Sequence, residues 1–308
     1  MLVVLTGGTG GAKLIEGLAV EIDPAELAII CNTGDDAVFH GLYVSPDIDT
    51  IIYTLAGLSD SEKGWGIRGD TFTTLEQLRR LGNAAWFNLG DKDLATHITR
   101  TKLLKEGLKL CEVTERIRRQ LGVQARILPM SDERVETRVQ TPQGELSFQE
   151  FFVKERWARE VTSVSFVGAE QAQPAPGVLD AIHRAQAIVV CPSNPITSIG
   201  PILAVPGIRS ALKQVSAPVL GVSPIIGGAA ISGPAHKLMV ASGFAASAAG
   251  VAGCYADFLD TLLIDDEDCP AVPAVEAFKV MAICTNIRMG DIAAKRRLAR
   301  EVLALVKK

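Results

Sequence analysis

Asp47 and Asp49 stand two residues apart in Ser45-Pro46-Asp47-Ile48-Asp49-Thr50, and Asp35 lies shortly before them in Asn32-Thr33-Gly34-Asp35-Asp36. Two carboxylates at this spacing suit two different roles. In the first, Asp49 together with Asp35 or Asp47 orders a divalent cation or a hydroxyl group. In the second, Asp49 is the N-cap of a helix that begins at Thr50, which stabilises by about 1 kcal/mol. Spacing leaves both open. The other chemical signal is Thr6-Gly7-Gly8-Thr9-Gly10-Gly11-Ala12-Lys13-Leu14, which follows the apolar run Leu2 to Leu5. A glycine turn between a strand and a helix brings backbone N–H groups close to an anion at the helix N-terminus. A phosphate held by Gly8, Thr9, Gly10 and Gly11, with Lys13 as its counter-charge, is the chemistry this implies. The pattern is neither a complete dinucleotide fingerprint, whose third glycine is replaced by Lys13, nor a Walker A loop, since Ala12 precedes the lysine and Leu14 follows it. A tight turn that merely needs positive φ is the competing reading.

Further polar residues leave other apolar runs. Asn32 and the acidic pair after it fall where a Rossmann-type fold carries an acidic residue for a ribose. In Leu89-Gly90-Asp91-Lys92-Asp93-Leu94-Ala95-Thr96-His97-Ile98-Thr99-Arg100, Asp91 reads as a cap, and Asp93, His97 and Arg100 share a helical face. Such a face is ordinarily a solvated charge stripe, with its histidine structural rather than catalytic. Two long loops offer Ser193, Asn194, Thr197 and Ser198, and then Ser223, Gly227, Gly228, Ser232 and Lys237. Each reads either as a ligand loop at the carboxyl end of a parallel strand or as a proline-pinned connection.

The elements that must position these residues follow a strand-then-helix rhythm. Residues 2–6, 27–32, 187–191, 218–222 and 261–264 are short, nearly continuous apolar runs, as expected of parallel strands covered on both faces. Helical spacing recurs at Leu14 and Leu18, at Ile52, Leu55 and Leu58, and at Val178, Ile182 and Ala185. The reading is an α/β fold with a Rossmann-like, doubly wound, mostly parallel sheet, in a single domain over residues 1–308. The rhythm breaks in the middle, where Thr141-Pro142-Gln143-Gly144 reads as the turn of an antiparallel hairpin, so a smaller inserted α+β region is expected at about 100–165. Leu298, Val302 and Leu305 mark a closing helix within residues 288–308.

Composition narrows the partners. The 308 residues are 48% hydrophobic with a formal net charge of −4, and no block of five or six like charges appears, so nucleic acid is not expected and small molecules are. Residues 185–208, 214–235 and 238–256 lack charge, but the first two are broken by prolines and the third is mostly Ala, Gly and Ser, so we expect buried strands and loops rather than membrane spans. A chain opening directly on a strand points to the cytoplasm. Six cysteines without CxxC spacing read as small core residues rather than disulfides or metal ligands.

Taken in order, the segments GGTGGAKL, NTGDD, SPDIDT, WGIRGDTFTT, LGDKDLATHITRT, ILPMSD, PSNPITSIGPIL and SPIIGGAAISGPAHKLM resemble the 2-phospho-L-lactate transferase family of coenzyme F(420) biosynthesis, across residues 7–239. The resemblance implies transfer of 2-phospholactate, or its phosphoenolpyruvate analogue, from a guanosine diphosphate-linked donor to the ribityl hydroxyl of FO, a 7,8-didemethyl-8-hydroxy-5-deazariboflavin. GMP is the other product, and Mg²⁺ the cofactor. By motif match Asp49 and Lys92 fall on FO-contacting positions. Relatives often carry arginine at the second, and lysine lacks its bidentate fork. The chemistry agrees. Asp49 suits a catalytic role, Asp49 with Asp35 or Asp47 the metal, and the glycine loop with Lys13 and Asn32 the phosphates. The loops containing Ser193, Asn194 and Ser198, and Ser223 and Gly227, suit guanosine. His97 is a poorer base, because a loose phosphoryl-transfer transition state gains little from early deprotonation. A sugar-nucleotide-binding regulatory protein would share the glycine loop but lack SPDIDT and GDKD. A nicotinamide dehydrogenase would want glycine at position 13. A homodimer is the default assembly for an enzyme of this size.

Overall fold

The computed structural model describes residues 1–60, 62–230 and 233–306. Seven strands form one parallel sheet: β1 (Leu2–Thr6), β2 (Leu27–Cys31), β3 (Arg126–Pro129), β4 (Ala187–Val190), β5 (Val219–Val222), β6 (Thr261–Ile264) and β7 (Met281–Cys284). Their order across the sheet is β7-β6-β5-β4-β1-β2-β3. In register, Leu2 of β1 lies opposite Leu27 of β2 on one side and Ala187 of β4 on the other. Successive side chains point to opposite faces, so Val3 and Leu5 enter one core while Leu2 and Val4 enter the other. Both faces are covered, which is why these strands read as continuous apolar runs.

Helices α1 (Gly8–Glu21), α2 (Pro46–Leu55), α4 (Asp91–Lys105) and α5 (Leu110–Gln120) supply the core on one face, with the short α3 (Thr73–Arg80) outside them. The C-terminal helix Ile292–Val306 joins the same face and lies along α1. Gly17 allows that approach, since a Cβ there would strike the Lys295 backbone, and the ion pairs Lys295–Glu16 and Arg296–Glu21, each at 2.6 Å, flank the contact. Helices Val178–His183, Ile208–Gln214 and Ala248–Tyr255 pack the other face.

All five expected strands are present. The two additional ones, β3 and β7, are the sheet's edges. The first begins on an exposed arginine and ends on a proline, and the second is only partly buried, so neither presents the continuous apolar run of a central strand. The segment 100–165 serves two sheets: it contains α5 and β3 of the main layer, then a separate antiparallel sheet of Glu136–Thr141, Gly144–Ser147 and Ser163–Val167. The hairpin turn falls at Thr141 to Gly144, as its residues imply.

One expectation about the cysteines is overturned. Cys269 and Cys284 are joined by a disulfide, because the neighbouring strands β6 and β7 bring the segment after one and the end of the other to a Cα–Cα distance of 5.7 Å. Cys31, Cys191 and Cys254 are buried free thiols, as anticipated. Among the described residues no helix is long and apolar enough to cross a membrane.

Candidate active site

In this strand order β1 and β4 are neighbours, yet the chain leaves them in opposite directions across the sheet, β1 toward β2 and β4 toward β5. A crevice opens beyond the carboxyl ends of two such strands. There the structure has a cavity of about 910 Å³, with three kinds of wall.

The first wall is the glycine turn facing the loop after β4. Gly8 has φ +67°, a conformation that glycine adopts freely. The Ser193 hydroxyl donates to the Gly7 carbonyl at 2.7 Å, and Thr197 and Ser198 line the same side. Glycine is also required at 10 and 11, where a Cβ would strike the Pro192 carbonyl and the Thr6 side chain. No side chain caps α1 at Gly7, and the Gly8 N–H donates to Asp47 Oδ1 at 2.7 Å. The later N–H groups of that first turn therefore face the cavity side as an anion-favouring end, with Lys13 lining the cavity beside them.

The second wall is acidic. Asp35, Asp47, Asp49 and Asp93 all line the cavity and all are buried. Asp47 is held by the Gly8 N–H and by Asn32 Nδ2 at 2.9 Å, but burial outweighs both bonds and pushes its carboxyl up to about 6. Asp35 is pushed well above the carboxylate range by burial and by the charges of Asp47 and Asp36, and its Oδ1 has no hydrogen-bond partner. Asp49 differs, being gripped by the fully buried Arg100, whose Nη1 donates to Oδ2 at 3.0 Å while Nη2 donates to Oδ1. His97 sits between two carboxylates, with Nδ1 3.6 Å from Asp49 Oδ2 and Nε2 3.2 Å from Asp93 Oδ1. Asp93 also accepts from the Tyr53 hydroxyl at 2.6 Å.

The third wall is aromatic. Phe148 stacks on Phe152 with ring centres 5.3 Å apart, and Phe152 meets Trp157 at 5.1 Å. Trp65 and Phe87 line the cavity as well.

Several expectations are corrected by this geometry. Asp49 is not an N-cap, because α2 starts three residues earlier at Pro46, with Ser45 in the cap position. Asp91 does not cap α4. Its carboxylate accepts from the N–H groups of Thr73 and Thr74, at the start of α3, while Asp70 takes the N–H groups of Lys92 and Asp93. The face Asp93-His97-Arg100 is buried against α2 rather than solvated. The expected metal set of Asp35, Asp47 and Asp49 is not gathered at one point. The group of donor atoms close enough to share an ion among the described residues is Asp49, Asp93 and His97, and Arg100 and Tyr53 already occupy its carboxylates. Lys92 does not line the cavity; its ammonium donates to the carbonyls of Arg68 and Gly69 at 3.3 and 3.0 Å. Ser223 donates to the Ile225 carbonyl in its own loop, the Gly227 N–H donates to Asp268 in the segment after β6, and neither residue lines the cavity. Asn32 and Gly11 act behind the wall, Asn32 by orienting Asp47. Asn194 lines the cavity while its Oδ1 caps the following turn at Ile196 and Thr197. Ser232 lies outside the described residues.

Residues not anticipated are Tyr53, Phe148, Phe152 and Trp157 on the walls, and Arg100 as the partner of Asp49. Tyr53 was within reach of periodicity, since it falls four residues after Asp49 on one face of α2. Phe148, Phe152 and Trp157 were not, because their meeting depends on how the segment 100–165 folds against the main sheet.

The family described as 2-phospho-L-lactate transferase CofD matches residues 2–283. The chain is 47% identical to a phosphoenolpyruvate transferase of Streptomyces griseus, covering 99% of this chain and 98% of that protein. It is 44% identical to a 2-phospho-L-lactate transferase of Methanothermobacter thermautotrophicus, covering 98% and 97%. In fold it is similar to a crystal structure of an upf0052 family protein from Bacillus halodurans, with a TM-score of 0.69 at 17% identity over 98% of each chain.

Proposed function

The chain belongs to the 2-phospho-L-lactate transferase CofD family, and we propose that its cavity carries a 2-phospholactyl or enolpyruvyl phosphate group from a guanosine diphosphate-linked donor to the ribityl hydroxyl of FO. The observation that carries this reading is one cavity lined together by the glycine turn, by buried carboxylates and by aromatic rings. A diphosphate suits the glycine turn and a flat tricyclic ring the aromatic side chains. The reacting atoms then meet at the acidic wall.

In the reaction the ribityl oxygen forms a bond to the phosphorus that bears the lactyl or enolpyruvyl group. The bond from that phosphorus to the GMP oxygen breaks, and GMP leaves with the electron pair. Asp49, fixed by Arg100, positions the attacking hydroxyl by accepting its hydrogen bond. The hydroxyl proton leaves late, to the departing GMP phosphate or to water, as suits a loose transition state. The glycine turn, Lys13, Ser193 and Ser198 hold the phosphates of the donor and of the departing GMP. Lys92 supports the turn at Arg68 and Gly69, and touches FO only if it releases those carbonyls.

For Mg²⁺ the fitting residues are Asp35 and Asp47. They are buried beside the glycine turn, charged only at a cost, and one of their oxygens lacks any partner. A hard cation relieves all three conditions, and Mg²⁺ is ordinarily held by one or two carboxylates plus substrate phosphates. When bound it would neutralise charge on the phosphoryl oxygens.

Incubation of the protein with FO, Mg²⁺ and each guanosine diphosphate-linked donor in turn, followed by chromatography of the deazaflavins, tests the proposal. F(420)-0 from the phospholactyl donor, or its dehydro form from the enolpyruvyl donor, is expected. Unchanged FO with both donors would remove the transferase reading.

A further inference from the structure

Lys237 is charged, belongs to the loop region after β5, and has no part in the chemistry above. It is the third residue of the helix Ala235–Ala241, where a cation opposes the helix dipole. Its ammonium reaches across to the inserted region and donates to three consecutive carbonyls, Trp157 at 2.8 Å and Ala158 and Arg159 at 3.4 Å each. Three donors thus meet three acceptors in one turn.

That turn is strained. Arg156 and Trp157 have φ of +48° and +46°, a region that non-glycine residues occupy only when their surroundings hold them there. The conformation sets the Trp157 ring against Phe152 on the cavity wall, with Phe148 stacked beyond it. The same loop presses on this stack a second time, since a Cβ at Gly233 would lie 3.2 Å from the Phe152 ring. Lys237 itself does not line the cavity. It stands one step behind the aromatic wall and ties the turn that carries Trp157 to the helix Ala235–Ala241.

We propose that Lys237 is a positioning residue: by clamping the 157–159 turn it holds Trp157 in the orientation that completes a subsite for a flat aromatic ring, and so controls affinity for the ring-bearing acceptor and not for the nucleotide donor. This rests on the acceptor reading given above. The donor phosphates are placed at the glycine turn, which shares no residue with the clamp, so unchanged nucleotide affinity is the expected result.

The test has two readouts on Lys237→Met in the full chain, a half-exposed position where methionine keeps the stem's bulk. In a Trp65→Phe, Trp86→Phe background, acrylamide quenching of Trp157 should rise at least about twofold when the clamp is removed. In the otherwise native protein, FO titration should give a Kd about tenfold weaker, with the Kd for GDP unchanged and Lys237→Arg recovering most of the loss. Unchanged quenching would overturn the clamp. Weaker GDP binding with normal FO binding would overturn its role at the acceptor subsite and make Lys237 a donor contact. Native protein that binds no FO at all would overturn the acceptor reading instead, and with it this role, while the quenching readout still decides whether the clamp exists.

Discussion

Asp49 is a cavity carboxylate whose charge is already matched by a buried guanidinium, and this changes what its substitution should do. If it were an N-cap, asparagine would replace it with little loss. Because both partners are buried, Asp49→Asn instead leaves Arg100 as an uncompensated charge, and we expect a loss of about 3–5 kcal/mol by urea unfolding. Turnover should fall about 10²-fold or more as the hydroxyl loses its positioned acceptor. The double variant Asp49→Asn with Arg100→Met should be more stable than the sum of the two single losses, and strict additivity would deny the pairing. Asp47 governs a different experiment. Its folded carboxyl titrates near 6, above its ordinary value of 3.8, so the folded chain holds a proton that the unfolded chain has released. Stability contributed by this group therefore falls as pH rises from about 4 to 6 and is level above that. The urea midpoint should decline across this window, Asp47→Asn should flatten the decline, and Mg²⁺ should stabilise more at pH 8 than at pH 5 because it competes with the proton. A midpoint that climbs through the same window would contradict the burial cost assigned to Asp35 and Asp47.

Elements place these residues by exchanging caps and by fitting backbone to backbone. Asp70 accepts the first N–H groups of α4, at 2.7 Å from Lys92 and 3.0 Å from Asp93, and so fixes the helix that carries Asp93, His97 and Arg100. Asp70→Ala should cost about 1 kcal/mol, with Asp70→Asn recovering most of it, as measured by urea unfolding. At the glycine turn the positions are not equivalent. Gly10 gives its space to the Pro192 carbonyl, whereas a Cβ at Gly8 would meet only Asp47 Oδ1, at 3.9 Å, despite the positive φ. Gly10→Ala should therefore destabilise the fold by about 1–3 kcal/mol by forcing apart the loops after β1 and β4. A variant at position 10 thus reports on packing before it reports on phosphate. The strand-then-helix rhythm and the turn after β1 were legible in the sequence because buried parallel strands and glycine turns have local signatures. Cap exchange between α3 and α4 was not legible, since Asp91 serves a helix that starts eighteen residues before it. The edge strands β3 and β7, and the Cys269–Cys284 bridge between neighbouring segments, likewise depend on pairings that no local pattern encodes.

At the scale of the whole molecule, the order β7-β6-β5-β4-β1-β2-β3 puts the reversal of chain direction at β1 and β4, and Phe148, Phe152 and Trp157 of the segment 100–165 line the cavity there. The sequence placed Gly8, Thr9, Gly10, Lys13, Asp35, Asp47, Asp49, Ser193, Asn194 and Ser198 near one another, and all of them line the one cavity. It did not separate those that face the cavity freely from those, such as Asp49, that are tied to a buried partner, because pairing is a property of distance and not of spacing. The account makes the acceptor hydroxyl, positioned between these walls, the group that attacks the donor. The most direct measurement is GMP release from the guanosine diphosphate-linked donor in the presence and absence of FO. We predict GMP only when FO is present, one equivalent for each FO consumed. Release at the same rate without FO would mean that water is the acceptor, and tight nucleotide binding with no release under either condition would mean a binding protein; either result would contradict the account.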